Sequence, residues 1–310
     1  MKESREITPE VSLSLWSRCN LEDIKYAAQL NPDIISLSIP VSDLHIEKKL
    51  GKNRPWIRQT LIDSLKYASN IGFKKISLGL EDATRADPCF LQEIIKIASE
   101  KGAQRIRIAD TVGIATPMEM INTLQGINAY GMEIGVHTHN DFGMATANAI
   151  SALQAGAQWA DATVLGLGER AGNARLEELA GFFTLKAGWT YRTEKLRPLC
   201  SLVSEAAAKA IDQHHPIIGD NIFTCETGMH LQGLNREHST YEPYNPKQVG
   251  AVRRLLYGAK IGRNSLSGRL NHLQIRLSPE KLEELFPAFR EKAGRLGRPL
   301  FDKEIVELCQ

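Results

Sequence analysis

The chain has no apolar stretch approaching the roughly 18 residues that a membrane-spanning helix needs, so no helical anchor is expected. Met1-Lys2-Glu3-Ser4 does not open a signal-peptide pattern, which argues against secretion. Net charge is nearly absent: 38 basic residues against 36 acidic ones leave +2, too little to make nucleic acid or an anionic membrane the main partner. Five cysteines (Cys19, Cys89, Cys200, Cys225 and Cys309) lie scattered, with no C-x-x-C pair. That spacing gives neither a disulfide framework nor a zinc knuckle, and it suits reduced thiols in a cytoplasm. Repeats, low-complexity segments and the early glycine fingerprint of a dinucleotide fold are missing as well.

What is present is an ordinary globular composition, 43% hydrophobic and 24% charged over 310 residues. This length allows one large domain with a smaller appendage, or two domains. Strand patterns fall at Val11–Trp16, Asp33–Ile39, Lys75–Leu80, Arg105–Ala109, Glu133–His139 and Ala160–Leu165. Amphipathic helical patterns fall between and after them, at Leu21–Leu30, Arg54–Asn70, Pro88–Lys101, Pro117–Tyr130, Met144–Ala155 and Leu176–Lys186. Gly72, Gly102, Gly131, Gly156 and Gly188 mark helix stops. Strand-helix alternation over residues 11–188 predicts a parallel sheet of βαβ units. Beyond Gly188 the rhythm ends. An alanine-rich helix is expected over 196–211, irregular chain over 216–250, and helix again at Ser278–Leu285 and Asp302–Cys309. The expected division is therefore 1–195 and a mainly helical 196–310.

The most telling short motif is Val136-His137-Thr138-His139-Asn140-Asp141 at the end of an apolar run. Side chains alternate along a strand, so His137 and His139 face one way and Thr138 the other. Two imidazoles aimed into one space form a natural pair of ligands for a divalent cation, although polar strand residues of no special role would read the same way. Polar residues also gather at the carboxyl ends of the other strands: Ser42-Asp43-His45, Glu81-Asp82-Arg85, Asp110-Thr111 and Glu169-Asn173. Convergence from several successive strands predicts a (β/α)8 barrel with its site at that end. Only six of the eight strands can be counted.

With Ile39-Pro-Val-Ser-Asp-Leu-His45, Glu81-Asp-Ala-Thr-Arg85, Ala109-Asp-Thr-Val-Gly113, the two histidines and Thr163–Ala174, the chain resembles the homocitrate synthase, 2-isopropylmalate synthase and citramalate synthase family. These are metal-dependent barrels that condense an acyl-CoA with a 2-oxo acid, and the resemblance covers roughly residues 11–255. The glycine-rich run, together with Gly143–Asn148, is most similar to homocitrate synthases of the nitrogen-fixation type. The resemblance implies condensation of acetyl-CoA with 2-oxoglutarate to homocitrate, followed by thioester hydrolysis. It implies a divalent ion (magnesium, manganese or zinc) held by His137 and His139 with Asn173 beside it, and a substrate pocket lined by His45, Arg85 and Thr111. Glu81 matches a pocket carboxylate that orients water or relays a proton. His230 and Tyr241 match residues of a segment swapped across a dimer, which assist acetyl-CoA deprotonation. Plainer readings stand beside these: a surface ion pair between Arg85 and Asp82 or Asp87, and a packed linker histidine at His230.

The chain departs from the family in several places. The opening Thr-Leu-Arg-Asp-Gly-Glu-Gln-like strand and the following Glu-x-Gly-x-Pro-like turn have no counterpart, so the chain starts near the family's third strand. The aspartate among them would be a third metal ligand, and two neutral imidazoles alone hold a cation weakly. Gly135 and Gly79 replace a glutamate and a serine common in two branches, and Gly262-Arg-Asn-Ser265 replaces a Gly-Lys-His-Ser-Gly run. Hence the chain is expected either to act with a partner chain that supplies the two strands, or to be a homodimer read from too late a start, or to be an inactive remnant. Isopropylmalate or citramalate synthesis is the nearest alternative within the class; carbon-carbon cleavage on the same barrel is disfavoured by the His230–Tyr241 segment.

Overall fold

Six strands pair side by side in chain order, all parallel: β1 (Ser14–Arg18), β2 (Ile34–Pro40), β3 (Ile76–Glu81), β4 (Arg105–Asp110), β5 (Glu133–Thr138) and β6 (Trp159–Ala160). This is the computed structural model of the chain, described for residues 1–226 and 228–310. Packing separates it into two units, Met1–Leu179 and Ala180–Gln310. A short α1 (Lys2–Ile7) precedes β1. The helices of the first unit follow their strands: α2 (Leu21–Gln29), α3 (Arg54–Asn70), α4 (Pro88–Glu100), α5 (Pro117–Gln125) and α6 (Ala145–Gln154); the division between the units falls within α7 (Leu176–Leu185). An uncrossed parallel order with intervening helices is the winding of a (β/α)8 barrel, and this chain carries six staves of it.

The two faces of the sheet differ sharply in chemistry. In register, Ile35, Leu37 and Ile39 lie beside Ile76, Leu78 and Leu80, and the row continues through Ile106, Ile108 and Val136. All are buried, in one core with Ile57, Leu61 and Leu65 of α3 and Phe90, Ile94 and Ile95 of α4. Each such side chain contributes about 1.5–3 kcal/mol on burial, so this layer holds the unit together. The alternate residues form the other face: Ser36 and Ser38, then Ser77, Gly79 and Glu81, then Arg105 and Arg107, then Glu133, Gly135 and His137. That face is polar and carries the chemistry.

Helix starts follow side-chain chemistry. Asn20, Asn53 and Asp87 accept from the first turns of α2, α3 and α4, and Thr116 forms a capping box with Glu119 at α5. The five expected glycine stops all adopt positive φ. Three expectations fail in this unit, the first being the opening strand, which runs over Ser14–Arg18 rather than Val11–Trp16. The sixth strand runs for only two residues, because Leu165 enters the left-handed region (φ 58°) and the chain turns through Val164–Gly166. Helix α5 ends at Gln125, short of Tyr130.

The second unit is mainly helical: α8 (Leu196–Ala206), α9 (Gly228–Arg236), α10 (Arg263–His272), α11 (Pro279–Leu296) and α12 (Asp302–Cys309), with a two-residue parallel pair, β7 (Thr224–Cys225) and β8 (Arg254–Leu255). Leu231, Leu266, Leu270, Phe286, Phe289 and Ile305 form its core. Helix α9 falls in the stretch expected to be irregular. Its buried face includes Leu231 and Leu234.

Candidate active site

His137 and His139 emerge at the carboxyl end of β5, as alternation requires, with ring centroids 4.9 Å apart. Their Nε2 atoms lie 3.2 Å from each other. Two nitrogens at that separation suit neighbouring positions around one cation at ordinary metal–nitrogen distances of about 2.0–2.1 Å. His137 Nδ1 faces Asp161 Oδ2 at 3.0 Å, and the same oxygen accepts from Arg107 Nη1 at 2.7 Å. Burial works to raise the Asp161 carboxyl. The His137 hydrogen bond and the Arg107 guanidinium prevail and hold it below the usual carboxylate range. Burial pushes the His139 imidazole below its ordinary value, and the His137 and Arg170 charges add to this, favouring the neutral ligand form.

Asn173 reaches the same strand end because the glycine-rich turn folds back on β5. Asn140 N–H donates to the Gly172 carbonyl, Asn173 N–H to the Gly166 carbonyl, and His139 and Asn173 form a bridge. The turn admits no side chain at Gly172, where φ is +94° and a Cβ would overlap the Gly166 oxygen. Asn173 donates its amide to the Leu167 carbonyl at 3.0 Å, which leaves Oδ1 buried and without a hydrogen-bond partner. A buried acceptor in that state awaits a donor or a cation. The two converging imidazole nitrogens therefore fit a metal, and the residue bridged to His139 carries a buried, unpartnered amide oxygen. Among the described residues, no group of three His, Cys, Asp or Glu side chains completes such a site.

Over β2 and β3 the expected pocket residues form a second cluster. Asp82, fully buried, accepts two hydrogen bonds from Arg85 Nε (2.8 and 3.0 Å) and one from Nη2 (2.8 Å). Ser42 Oγ also donates to it, and Asp82 N–H donates to Thr111 Oγ1 at 2.8 Å. His45 Nε2 stands 3.4 Å from Arg85 Nη2, while its Nδ1 is buried and unpartnered. His45, Arg85 and Thr111 thus come together, with the Arg85–Asp82 ion pair at their centre. Glu81 is held separately, by Lys49 Nζ at 2.7 Å and Ser38 Oγ at 3.2 Å. It borders a cavity of about 220 Å³ at the ends of β1–β3, lined also by Arg18, Cys19 and Trp56. Burial pushes the Cys19 thiol up to about 12, so it is no nucleophile.

In the second unit His230 and Tyr241 stack, centroids 4.2 Å apart and rings tilted by 32°. A Cβ at Gly233 would collide with the Tyr241 ring, so that glycine admits the stack. Sequence reasoning did not single out Arg107 or Asp161. The available signal was alternation, since Arg107 stands two residues before Ala109 on the face that carries His137.

The sheet and its polar carboxyl end define an α/β enzyme barrel of the (β/α)8 class. The HMGL-like family profile matches residues 2–203, and a profile described as homocitrate synthase post-HMGL domain-like matches residues 217–296. The chain is 37% identical over 304 residues to 2-isopropylmalate synthase 2 of Caldanaerobacter subterraneus, covering 97% of this chain and 79% of that one. It is 39% identical over 269 residues to homocitrate synthase of Frankia alni (86% and 76%) and 36% over 304 residues to homocitrate synthase 1 of Nostoc (97% and 80%). The crystal structure of Bacillus subtilis HMG-CoA lyase superposes with a TM-score of 0.57 at 20% identity, covering 65% of this chain and 72% of the lyase, a likeness of fold. The chain belongs to the HMGL-like family, and its named relatives are condensing synthases of the homocitrate, isopropylmalate and citramalate type. Enzymes of the family are generally dependent on a divalent metal. No described helix is long and apolar enough to cross a membrane.

Proposed function

We propose that the chain is an acyltransferase subunit that condenses acetyl-CoA with 2-oxoglutarate to give homocitrate, in a cytoplasmic setting such as nitrogen fixation. The observation that carries this reading is the pair of Nε2 atoms 3.2 Å apart, with the unpartnered amide oxygen on Asn173, the residue bridged to His139. His137, His139 and Asn173 would hold a magnesium, manganese or zinc ion, which when bound supplies Lewis-acid polarisation of a keto oxygen. His45, Arg85 and Thr111 form the neighbouring anion-binding edge. The Arg85–Asp82 pair leaves Arg85 Nη1 outside it for a distal carboxylate. Glu81, fixed by Lys49 and Ser38, orients water for thioester hydrolysis. His230, with Tyr241 stacked on it, accepts the methyl proton of acetyl-CoA from the swapped segment of a dimer partner.

The outer edges of β1 and β6 have no strand neighbour among the described residues. In the working assembly, further strands of a longer chain or of a second chain close the barrel there and add an acidic ligand. Two imidazoles and one amide compensate a divalent charge poorly, so the chain by itself is expected to turn over slowly or not at all. A non-catalytic partner-binding role is the reading left if completion restores nothing.

Isopropylmalate synthesis stays in contention through the relative of that name, at 37% identity over almost the whole chain. The test is condensation measured by free CoA release with 2-oxoglutarate, 2-oxoisovalerate and pyruvate, for these 310 residues alone and with strands supplied at the open β1 and β6 edges. Preference for 2-oxoglutarate is expected. Preference for 2-oxoisovalerate overturns the substrate assignment, and robust turnover by the chain alone overturns the need for completion.

A further inference from the structure

Asp161 stands one residue beyond β6, where the chain leaves the sheet, and its Oδ2 takes two contacts. One is Arg107 Nη1 at 2.7 Å, the other His137 Nδ1 at 3.0 Å. A carboxylate has no proton to give, so His137 is the donor and Nδ1 carries the hydrogen. The Nε2 lone pair then points into the site, where without a cation it accepts from His139 Nε2–H at 3.2 Å. Free neutral imidazole favours the opposite tautomer, with hydrogen on Nε2, which would turn a donor toward the site. Asp161 on one ring nitrogen and His139 on the other therefore both bear on which end of the ring carries the hydrogen.

Arg107 has its own route to this place. It lies beside Gly79 in register, and its Nη2 passes 3.3 Å from where a Cβ of residue 79 would stand. Ser38 Oγ lies 3.3 Å from the same point, so a Cβ there would crowd the guanidinium's path and push it by a few tenths of an ångström. Its contact with Asp161 countercharges the carboxylate and fixes which way it points.

We propose that Asp161, held by Arg107, is a positioning residue that locks His137 as its Nδ1–H tautomer and aims Nε2 at the cation position. The metal consequence rests on the reading in the preceding section; the tautomer consequence does not. Outer carboxylates that orient ligating imidazoles typically cost about 10–100-fold in metal affinity when removed.

The experiment uses the full chain labelled with ¹⁵N-histidine, free of metal, at a pH where imidazole is neutral. His137 is assigned by difference against His137→Gln. Wild type is expected to show His137 with hydrogen on Nδ1, and Asp161→Ala to move it to the Nε2–H form. Asp161→Asn, which keeps an acceptor oxygen, should restore part of the Nδ1–H population. A simple structural pairing of Asp161 with Arg107 would leave these spectra unmoved. Manganese alone, followed by its electron paramagnetic resonance signal, should bind 10–100-fold more weakly to Asp161→Ala, with the fold retained and the unfolding midpoint only slightly lowered. The proposal is overturned if wild-type His137 already carries hydrogen on Nε2, if Asp161→Ala leaves the tautomer unchanged, or if manganese affinity moves less than twofold. Should wild type take up no manganese at all, the cation reading fails, and the tautomer measurement still decides the role of Asp161.

Discussion

Two clusters at the same end of the sheet are built from the same three residue types and do opposite things. Over β2 and β3, Asp82 is fully buried and takes three hydrogen bonds from Arg85, while His45 stands 3.7 Å from it. Over β5 and β6, Asp161 has a side chain 41% exposed, takes one contact from Arg107, and engages His137 at 3.0 Å. In the first cluster the arginine satisfies the carboxylate, and the histidine lies beside the pair without completing it. In the second the arginine leaves the carboxylate unsatisfied, and the histidine completes it. The comparison teaches that the sharing of one acid between guanidinium and imidazole decides whether the cluster braces the fold or aims a ring.

The largest effect should separate the two histidines. His137→Ala or His139→Ala should abolish manganese uptake, a loss beyond the roughly 100-fold that an outer partner commands. His45→Ala should leave uptake within a few-fold, because its ring faces Asp82 and Arg85 rather than the imidazole pair. Equal losses from His45 and His137, measured by manganese titration, would collapse the distinction.

Next come the acids, read by denaturant unfolding rather than by binding. Asp82→Ala leaves the part-exposed Arg85 guanidinium and the buried Ser42 hydroxyl without their acceptor, and should cost about 1–3 kcal/mol. Asp161→Ala should cost no more than about 1 kcal/mol, since its carboxylate is part-exposed and water replaces its partners. An Asp161→Ala variant that unfolds as readily as Asp82→Ala would make both clusters structural. At Gly172 the same logic applies to backbone. Alanine there meets the Gly166 oxygen in a left-handed conformation, so about 1–3 kcal/mol of strain should appear together with weakened manganese binding as Asn173 shifts.

Much of this was legible in the sequence for definable reasons. Five strands and their helices announced themselves because Ile, Leu and Val recur with clean periods and the helices begin on Asn, Asp or Thr caps. His137 and His139 were legible because period two needs only one strand. The sixth strand was misread because Thr163-Val164-Leu165 is β-prone by composition, whereas the glycine turn pulls Leu165 into a left-handed kink. Helix α9 was missed because its apolar face is carried by few residues. The Arg107–Asp161 contact joins residues 54 positions apart, and no local spacing could announce it. Arg85 shows the reverse: its neighbour Asp82 was visible as a partner in the sequence, and three hydrogen bonds make it the dominant one.

A pair on the second unit supplies the control for both clusters, because it has an arginine and a carboxylate and no histidine. Glu304 accepts from Arg298 Nη1 at 2.8 Å and Nη2 at 2.7 Å, and from the Phe301 N–H at 2.8 Å. The Arg298 hydrogen bonds, with help from that N–H, hold its carboxyl at about 2, against an ordinary 4.5. A carboxyl depressed on folding adds stability that is fully present above the unfolded value near 4.5 and lost as pH falls through about 2. Carbon-13 carboxyl shifts followed between those limits should therefore show Glu304 still ionised where free glutamates have protonated. Arg298→Met should return it most of the way to 4.5, with the Phe301 N–H retaining a remainder. Being exposed, the pair should change unfolding free energy little, the smallest effect of the series. If Arg298→Met instead left Glu304 as acidic as before, a guanidinium fork would not be what holds a carboxylate in this protein. The contrast between Asp82 and Asp161 would then need a different cause.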